Sequence, residues 1–431
     1  MVGPRARGPG WGRVAPRPCP GPHKGFVPAP CSFAMDTLTH ALSGALLARL
    51  IVARGSVPPA ANAVTSGASA TAAAGGFGAA WVGGPAAPLP WQGVVVGLVA
   101  GAFPDIDVVA QGFGDVAYLT HHRGITHSVL MLPIWAFGLA WLMALTFRRT
   151  HAHPGGWKSL YVFALAGIAI HIAGDWITQF GTMLLQPFSD RRFGLGSMFI
   201  IDLPFSGLLL AGLVLAAVFP RRRWPAALGL GAATAWVGLA TAGQYEALDV
   251  GKRYARAQGI AAPVVTVMPR PASPFNWTVT VFDGQAYHLA HVNTRRTEAM
   301  TADANSHFIR RFSAPYLPER MARWQQVPRF GGAGTPAWVQ DAWNAPAFAF
   351  FRWFAQTPAL WAGPAVAPVT TFVPVAASGR CAWFRDLRFD FPGREAGPFR
   401  YGVCLSAKPG DAARVYKLET VEGSAIRTRV Q

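Results

Sequence analysis

Apolar stretches long enough to approach a membrane crossing recur along the first 245 residues, and they dominate what this chain can become. They lie at roughly 37–53, 91–110, 128–147, 159–180, 206–219 and 225–242, judged against a need for about 20 apolar residues per crossing helix. Only 13% of the 431 residues are charged, against about a quarter in soluble proteins. The fold expected is a polytopic α-helical membrane protein of about 5–6 transmembrane helices. The net charge of +18 would raise nucleic acid as a partner in a soluble chain. Here the basic residues are scattered or flank apolar blocks, which fits membrane edges, and no nucleic-acid partner is expected.

Three further segments complete the expected organisation. Residues 1–34 are rich in Pro, Gly and Arg, hold no acidic residue and lack the apolar core of a signal peptide. They are expected to be disordered or an untranslated extension, with Met35 the favoured start. The transmembrane domain is expected over 35–243, interrupted by an Ala/Gly/Pro-rich linker at 55–90. Over 244–431 the pattern changes to a mostly-β soluble domain. "FNWTVTVFDGQAYHLAHV" alternates around an Asp-Gly turn as a hairpin does. "CAWFRDLRFDF" and "FRYGVCLSA" read as two more strands, and helix is expected near 335–356. Cys381 and Cys404 flank this strand pair; a disulfide and two buried thiols are equally open.

Arginines orient the chain. "FRRTHAHPGGWK" and "PRRRWP" follow the third and fifth stretches and fall on one side, the cytoplasmic one if positive charge stays inside. The ends of stretches two, four and six, and the C-terminal domain, then face outward.

Five short clusters carry chemistry. "DTLTH" places Asp36 and His40 four apart, on one helical face. "FPDID" supplies Asp105 and Asp107, and "HHRGITHS" supplies His121, His122, Arg123 and His127. "HIAGDW" again spaces His171 and Asp175 by four, and "FIID" supplies Asp202. With the orientation above, all five meet at one membrane face. Ionised groups near a bilayer are costly and pair or bind ions. Imidazole and carboxylate together suit zinc, manganese or iron. His40, Asp105, Asp107, His122, His127, His171, Asp175 and Asp202 are the candidate metal ligands, enough for two or three ions. Asp105, Asp175 and Arg123 are the candidate catalytic residues: a carboxylate as general base and the guanidinium for a developing anion. Taken singly, each cluster has a plainer reading. Asp36 could be a helix N-cap, Asp105 and Asp107 a solvated turn, and His171 with Asp175 a pair joining two helices. His121 reads as a bystander beside His122.

The ordered set "MDTLTHALSGALLARL", "GAFPDIDVV", "HHRGITHSVL", "HIAGDWITQFGTMLLQPFSDRRFGLGSMFIIDLPF" and "PASPFNWTV" resembles the YdjM-like family of bacterial inner-membrane proteins, described as metal-dependent hydrolases and in part as LexA-regulated. The resemblance spans about residues 35–290. It implies a membrane-bound hydrolase whose His/Asp set falls on the eight ligands named above. Through helical H-x-x-x-D elements such as His171 and Asp175, it also implies a distant likeness to zinc-dependent phospholipase C. The expected function is therefore hydrolysis of a phosphoester or related ester of a lipid or envelope component by metal-activated water. Zinc is the expected metal, with manganese or iron as alternatives, and membrane lipids and an ester substrate are the expected partners. The expected location is the bacterial inner membrane. Metal handling or transport through intramembrane His/Asp sites, and a non-catalytic scaffold with a structural metal, are the competing readings.

Overall fold

The computed structural model describes residues 29–52, 88–153, 155–332, 334–361, 380–392, 397–406, 412–421 and 424–430. The expectations for residues 1–28 and for most of the 55–90 linker lie outside the described residues.

The N-terminal half is helical. Its principal helices are α1 (Ala29–Ile51), α2 (Pro90–Ala102), α3 (Asp115–His121), α4 (Leu132–Thr146), α5 (Trp157–Trp176), α6 (Leu203–Val218) and α7 (Trp224–Ala257). Proline sits in the first turn of α2, α4, α6 and α7, where its missing N–H costs nothing. Helix α1 lies against α2 along small residues. A Cβ added to Gly97 would come within 2.5 Å of the Gly44 carbonyl oxygen, so the two backbones touch only because both positions are glycine. Val96, Ala100, Phe163, Ala164 and Ile168 fill the seam between α2 and α5.

The expectation of 5–6 transmembrane helices is corrected. Among the described residues, three helices are long and apolar enough to cross a membrane: Pro90–Phe113, Lys158–Trp176 and Trp224–Ala257. A fourth arises only if Asp115–His127 and Leu132–Thr146 form one span across their 80° bend. Helix α6 is apolar but has 16 residues, a rise of about 24 Å against a hydrocarbon core of about 30 Å. The stretch at 128–147 is likewise shortened, since its regular helix runs only from Leu132 to Thr146, 15 residues. Hydropathy counts apolar residues and does not register such breaks.

Helix α7 crosses the expected 243/244 junction and enters the C-terminal domain. Ala247 and Val250 pack there with Trp277, Val279, Ala290 and Val292. That domain is mostly β, as expected. One five-stranded sheet has the order β1 (Val264–Pro269), β2 (Asn276–Phe282), β3 (Ala286–Asn293), β4 (Leu317–Pro318), with β5 (Gln325–Pro328) also on β3. The hairpin β2–β3 turns at Asp283–Gly284, with Phe282 opposite Tyr287. The second sheet has the order β10 (Ser424–Arg429), β9 (Arg414–Val421), β8 (Tyr401–Leu405), β7 (Arg380–Asp386), β6 (Pro358–Leu360). Cys381 and Cys404 are register partners on β7 and β8 and form a disulfide.

The β domain is fastened to the helical half. Tyr118, Leu119 and Phe180 share a core with Phe348, Phe351, Phe354 and Phe384. Lys417 Nζ lies 2.9 Å from Asp115 Oδ1, and Arg388 donates to the Gln179 carbonyl at 3.3 Å.

Candidate metal centre

The His/Asp residues converge because several helices end together. Helix α1 carries Asp36 and His40 one turn apart. After α2, a tight 3-10 turn (Phe103–Phe113) presents Asp105 and Asp107. Helix α3 stops at His121, and the chain then bends through His122, Arg123 and Gly124 into a short turn ending at His127. The last turn of α5 carries His171 and Asp175. Arg123 is left-handed, with φ of 58°, a conformation that costs a non-glycine residue on the order of 1–3 kcal/mol. Its backbone is held on both sides: Arg123 N–H donates to Asp107 Oδ2 at 2.7 Å, and its carbonyl accepts from Met183 N–H at 2.9 Å.

Hydrogen-bond partners set the imidazole tautomers. His171 Nδ1 lies 2.6 Å from the Gly101 carbonyl oxygen, which can only accept, so Nδ1 carries the proton. His127 Nδ1 lies 3.0 Å from Thr126 Oγ1, whose own hydrogen points to Asp107 Oδ2, and 3.3 Å from that carboxylate oxygen, so Nδ1 carries the proton here too. Each ring then turns an Nε2 lone pair inward, and the two Nε2 atoms are 3.0 Å apart. Asp175 Oδ2 lies 3.0 Å from His127 Nε2 and 3.6 Å from His171 Nε2. Asp105 Oδ1 is 3.8 Å and 3.6 Å from the same two atoms. The four donor atoms lie within 4.8 Å of one another. Two lone pairs and two carboxylates facing one another in a buried site repel unless a cation lies between them. Asp175 Oδ2 is buried and faces the two imidazole nitrogens, while Oδ1 is turned to Arg123 and His40. An N2O2 donor set with imidazoles oriented from behind by a carboxylate and a carbonyl fits a divalent transition metal.

A second group, Asp36, His40 and Asp175, adjoins the first. Here a cation is already present. Arg123 Nη2 lies 3.0 Å from Asp175 Oδ1 and 3.3 Å from Asp36 Oδ2, while Nη1 donates to Thr178 Oγ1 at 2.6 Å. His40 Nε2 is 3.2 Å from Asp175 Oδ1. Gly174 makes room for that ring, since a Cβ there would lie 2.7 Å from His40 Cε1. The guanidinium neutralises this second group, so the first group suits one ion and the pair does not suit two.

The structure thus draws seven of the eight expected ligands into one network, with differing positions in it. Asp105, His127, His171 and Asp175 form the four-residue group, and His40 the adjoining one. Asp107 and His122 pair with each other at 2.9 Å and stand behind His127. Asp202 is apart from both groups: it caps α6, accepting from Phe205 N–H at 2.9 Å and Trp236 Nε1–H at 3.0 Å. Arg123 is fully buried among Asp36, Asp175 and Thr178, with Phe180 stacked 5.2 Å from its Cζ. His121 is exposed. Asp36, absent from the expected ligands, belongs to the second group; its spacing of four from His40 was the available signal.

The side chains of His127, His171 and Asp175 are fully buried, whereas Asp105 and Asp36 are 16% and 15% exposed. Thr37 Oγ1 donates to Asp105 Oδ2 at 2.6 Å, leaving Oδ1 turned to the imidazoles. Arg192 ties this end to the β domain. It donates to the Leu119 and His122 carbonyls at 2.8 and 3.1 Å and stacks on Trp353. Burial, with the charges of Arg123 and Arg388 nearby, pushes Arg192 down to about 9.

Residues 35–247 match the model of the YdjM inner membrane protein family. This stretch is a YdjM-family domain. The YdjM region contains both His/Asp groups and stops within α7, so the β domain lies outside the match. A Bacillus subtilis (strain 168) protein described as "Uncharacterized protein YfhP" is 27% identical over 119 residues, 27% of this chain and 35% of that protein. The matched segment thus spans about a third of that relative's length. No solved structure matches the chain.

Proposed function

We propose that the YdjM region holds one divalent metal ion, zinc before manganese or iron, on His127, His171 and Asp175, with Asp105 beside its open position, and that the protein is a membrane-bound hydrolase of a phosphoester or related ester. The observation that carries the metal is the pair of inward Nε2 lone pairs 3.0 Å apart beside Asp175 Oδ2. A divalent ion at such a site acidifies water and polarises an ester oxygen. The chain's own residues supply the rest. Asp175 lies between the two groups and, fully buried, is a ligand. Asp105 is the more exposed carboxylate and can take a proton from water on the open side. Arg123 holds Asp175 and Asp36 in place, a positioning role. The substrate class follows from location: a site at the ends of membrane helices meets lipid or envelope esters. The disulfide favours an oxidising compartment for the β domain. The arginines after α4 and α6 favour the opposite side as cytoplasmic, so the outer face is the proposed location of the site.

The test is turnover of a phosphoester panel by purified protein with and without chelator. Asp105→Asn should bind metal yet lose turnover, whereas His171→Ala should lose both. The deep burial of His127, His171 and Asp175, with Asp105 able to fill the fourth position, favours a second reading, a structural ion. Stoichiometric metal without turnover of any ester would select that reading and end the hydrolase proposal.

A further inference from the structure

The β domain carries a short helix, α8 (Phe308–Ser313), whose apolar side chains are about half-exposed among the described residues. Phe308, Ile309 and Phe312 are 49%, 45% and 46% exposed and share one side, while Arg310 and Arg311 are exposed beside them. Three large apolar side chains exposed together mark an interaction surface. The structure also says where that surface lies.

Helix α7 sets the level. Its apolar run is bracketed by two exposed aromatics, Trp224 at 50% and Tyr245 at 63%. From Trp224 to Tyr245 the helix rises about 32 Å, close to the ~30 Å hydrocarbon thickness. Exposed Trp and Tyr at the two ends of an apolar helix mark the two bilayer interfaces. One interface is therefore at Tyr245. A continuous set of polar contacts connects that level to α8. Glu246 accepts from Thr294 Oγ1 at 2.7 Å and pairs with Arg295 Nη2 at 2.6 Å. The neighbouring Asn293 donates to Asn276 Oδ1 at 2.7 Å, and Asn276 Nδ2 donates to Ser313 Oγ at 3.0 Å. Arg296 holds the Ser313 and Tyr316 carbonyls at 3.1 and 2.9 Å. Gly243, one turn below, faces the Pro274 carbonyl and the Phe275 ring. Helix α8 is thus fixed to the membrane-proximal edge of the β domain.

We propose that α8 is an interfacial anchor. Phe308, Ile309 and Phe312 enter the boundary between headgroups and acyl chains, and Arg310 and Arg311 contact phosphates of anionic lipids. Apolar side chains on one side and arginines beside them are what such a surface requires. The anchor fixes the β domain against the bilayer beside the end of the helices that carries the His/Asp groups. It requires α7 to cross the membrane and does not depend on hydrolase activity.

The test uses the full chain with Cys19→Ser and Cys31→Ser, keeping the Cys381–Cys404 disulfide. A single Ile309→Cys position is labelled with an environment-sensitive fluorophore. The protein is placed in nanodiscs of phosphatidylcholine, with or without phosphatidylglycerol, and spin-labelled lipid serves as quencher. A label at Leu239→Cys, on the apolar part of α7, is the span control. The proposal expects both labels to be quenched by lipid. The Ile309 label should be quenched more with phosphatidylglycerol than without, a difference lost at high salt and in Arg310→Ala/Arg311→Ala. Water-like emission at position 309 with position 239 quenched would overturn the anchor. Blue-shifted emission at 309 without lipid quenching would overturn it too, by showing that a second protein surface covers α8. Absence of quenching at 239 would remove the span on which the proposal stands.

Discussion

Asp107→Asn separates a ligand from a residue that orients a ligand. Asp107 Oδ2 accepts from Arg123 N–H at 2.7 Å and faces His127 Nδ1 at 3.3 Å, while Oδ1 meets His122 Nδ1 at 2.9 Å. The asparagine side chain is nearly isosteric and keeps one oxygen to accept the Arg123 N–H, so the bend should survive. What is lost is the negative charge behind His127. A hydrogen bond to a charged group is worth about 1.5–3 kcal/mol against about 0.5–1.5 for a neutral one. The difference of roughly 1–1.5 kcal/mol predicts about a tenfold weaker metal affinity, at the lower edge of the ~10–100-fold found when a partner behind a ligand is removed. Stoichiometry should remain that of the wild type. Competition against a chromogenic chelator, with protein in detergent, reads both quantities. Unchanged affinity would show that Asp107 does not tune His127. Complete loss of bound metal would make Asp107 itself a ligand and refute the proposed order of residues.

Other perturbations should fall outside the metal site or strike it indirectly. Asp202→Asn should leave metal content unchanged and barely alter thermal stability, since Asn caps helices as well as Asp, whereas Asp202→Ala should cost about 0.5–2 kcal/mol. Gly174→Ala should displace His40, whose Cε1 would lie 2.7 Å from the new Cβ, and lower thermal stability by roughly 1–3 kcal/mol; an unchanged melting curve would contradict the packing. Replacing Cys381 and Cys404 together by Ala should destabilise the β domain by about 3 kcal/mol for a loop of this length, read by denaturant unfolding, with metal content retained. Asp386 supplies a pH prediction. Its burial raises the carboxyl, but the Arg388 charge and hydrogen bonds outweigh this and hold it below the usual aspartate range. Its contribution is therefore complete above about pH 4 and is lost as pH falls through the lowered value. The acid limb of β-domain unfolding should flatten in Asp386→Asn.

The parts of the molecule legible in the sequence are those written in local periodicity. The Asp-Gly hairpin lies at 283–284 because alternation and turn chemistry agree there. The pairs Asp36/His40 and His171/Asp175 lie on helices because a spacing of four puts two side chains on one face. Helix breaks and the roles of neighbouring polar groups were less legible. Hydropathy does not distinguish a 20-residue helix from two pieces bent by 80°. The change to polar residues at Gln244 reads as the end of α7. The helix continues because Ala247, Val250, Gly251 and Ala255 keep a buried face at helical spacing. Asp202 resembled the other acidic residues. Its place before Leu203-Pro204 is the pattern of an N-cap with proline in the first turn, and the backbone N–H of Phe205 claims its carboxylate. Asp107 and His122 share composition with true ligands, and only three-dimensional placement shows them standing behind His127.

Metal content tests the central claim most directly. Elemental analysis of the purified chain, expressed in metal-replete medium and exchanged into chelator-treated buffer, should give one divalent ion per chain. The same value is expected for Asp202→Asn, and none for His171→Ala. A folded wild-type protein that carries no divalent metal and takes up none on titration would contradict the account. In that case a shared proton, not a metal, would reconcile the two Nε2 atoms held 3.0 Å apart.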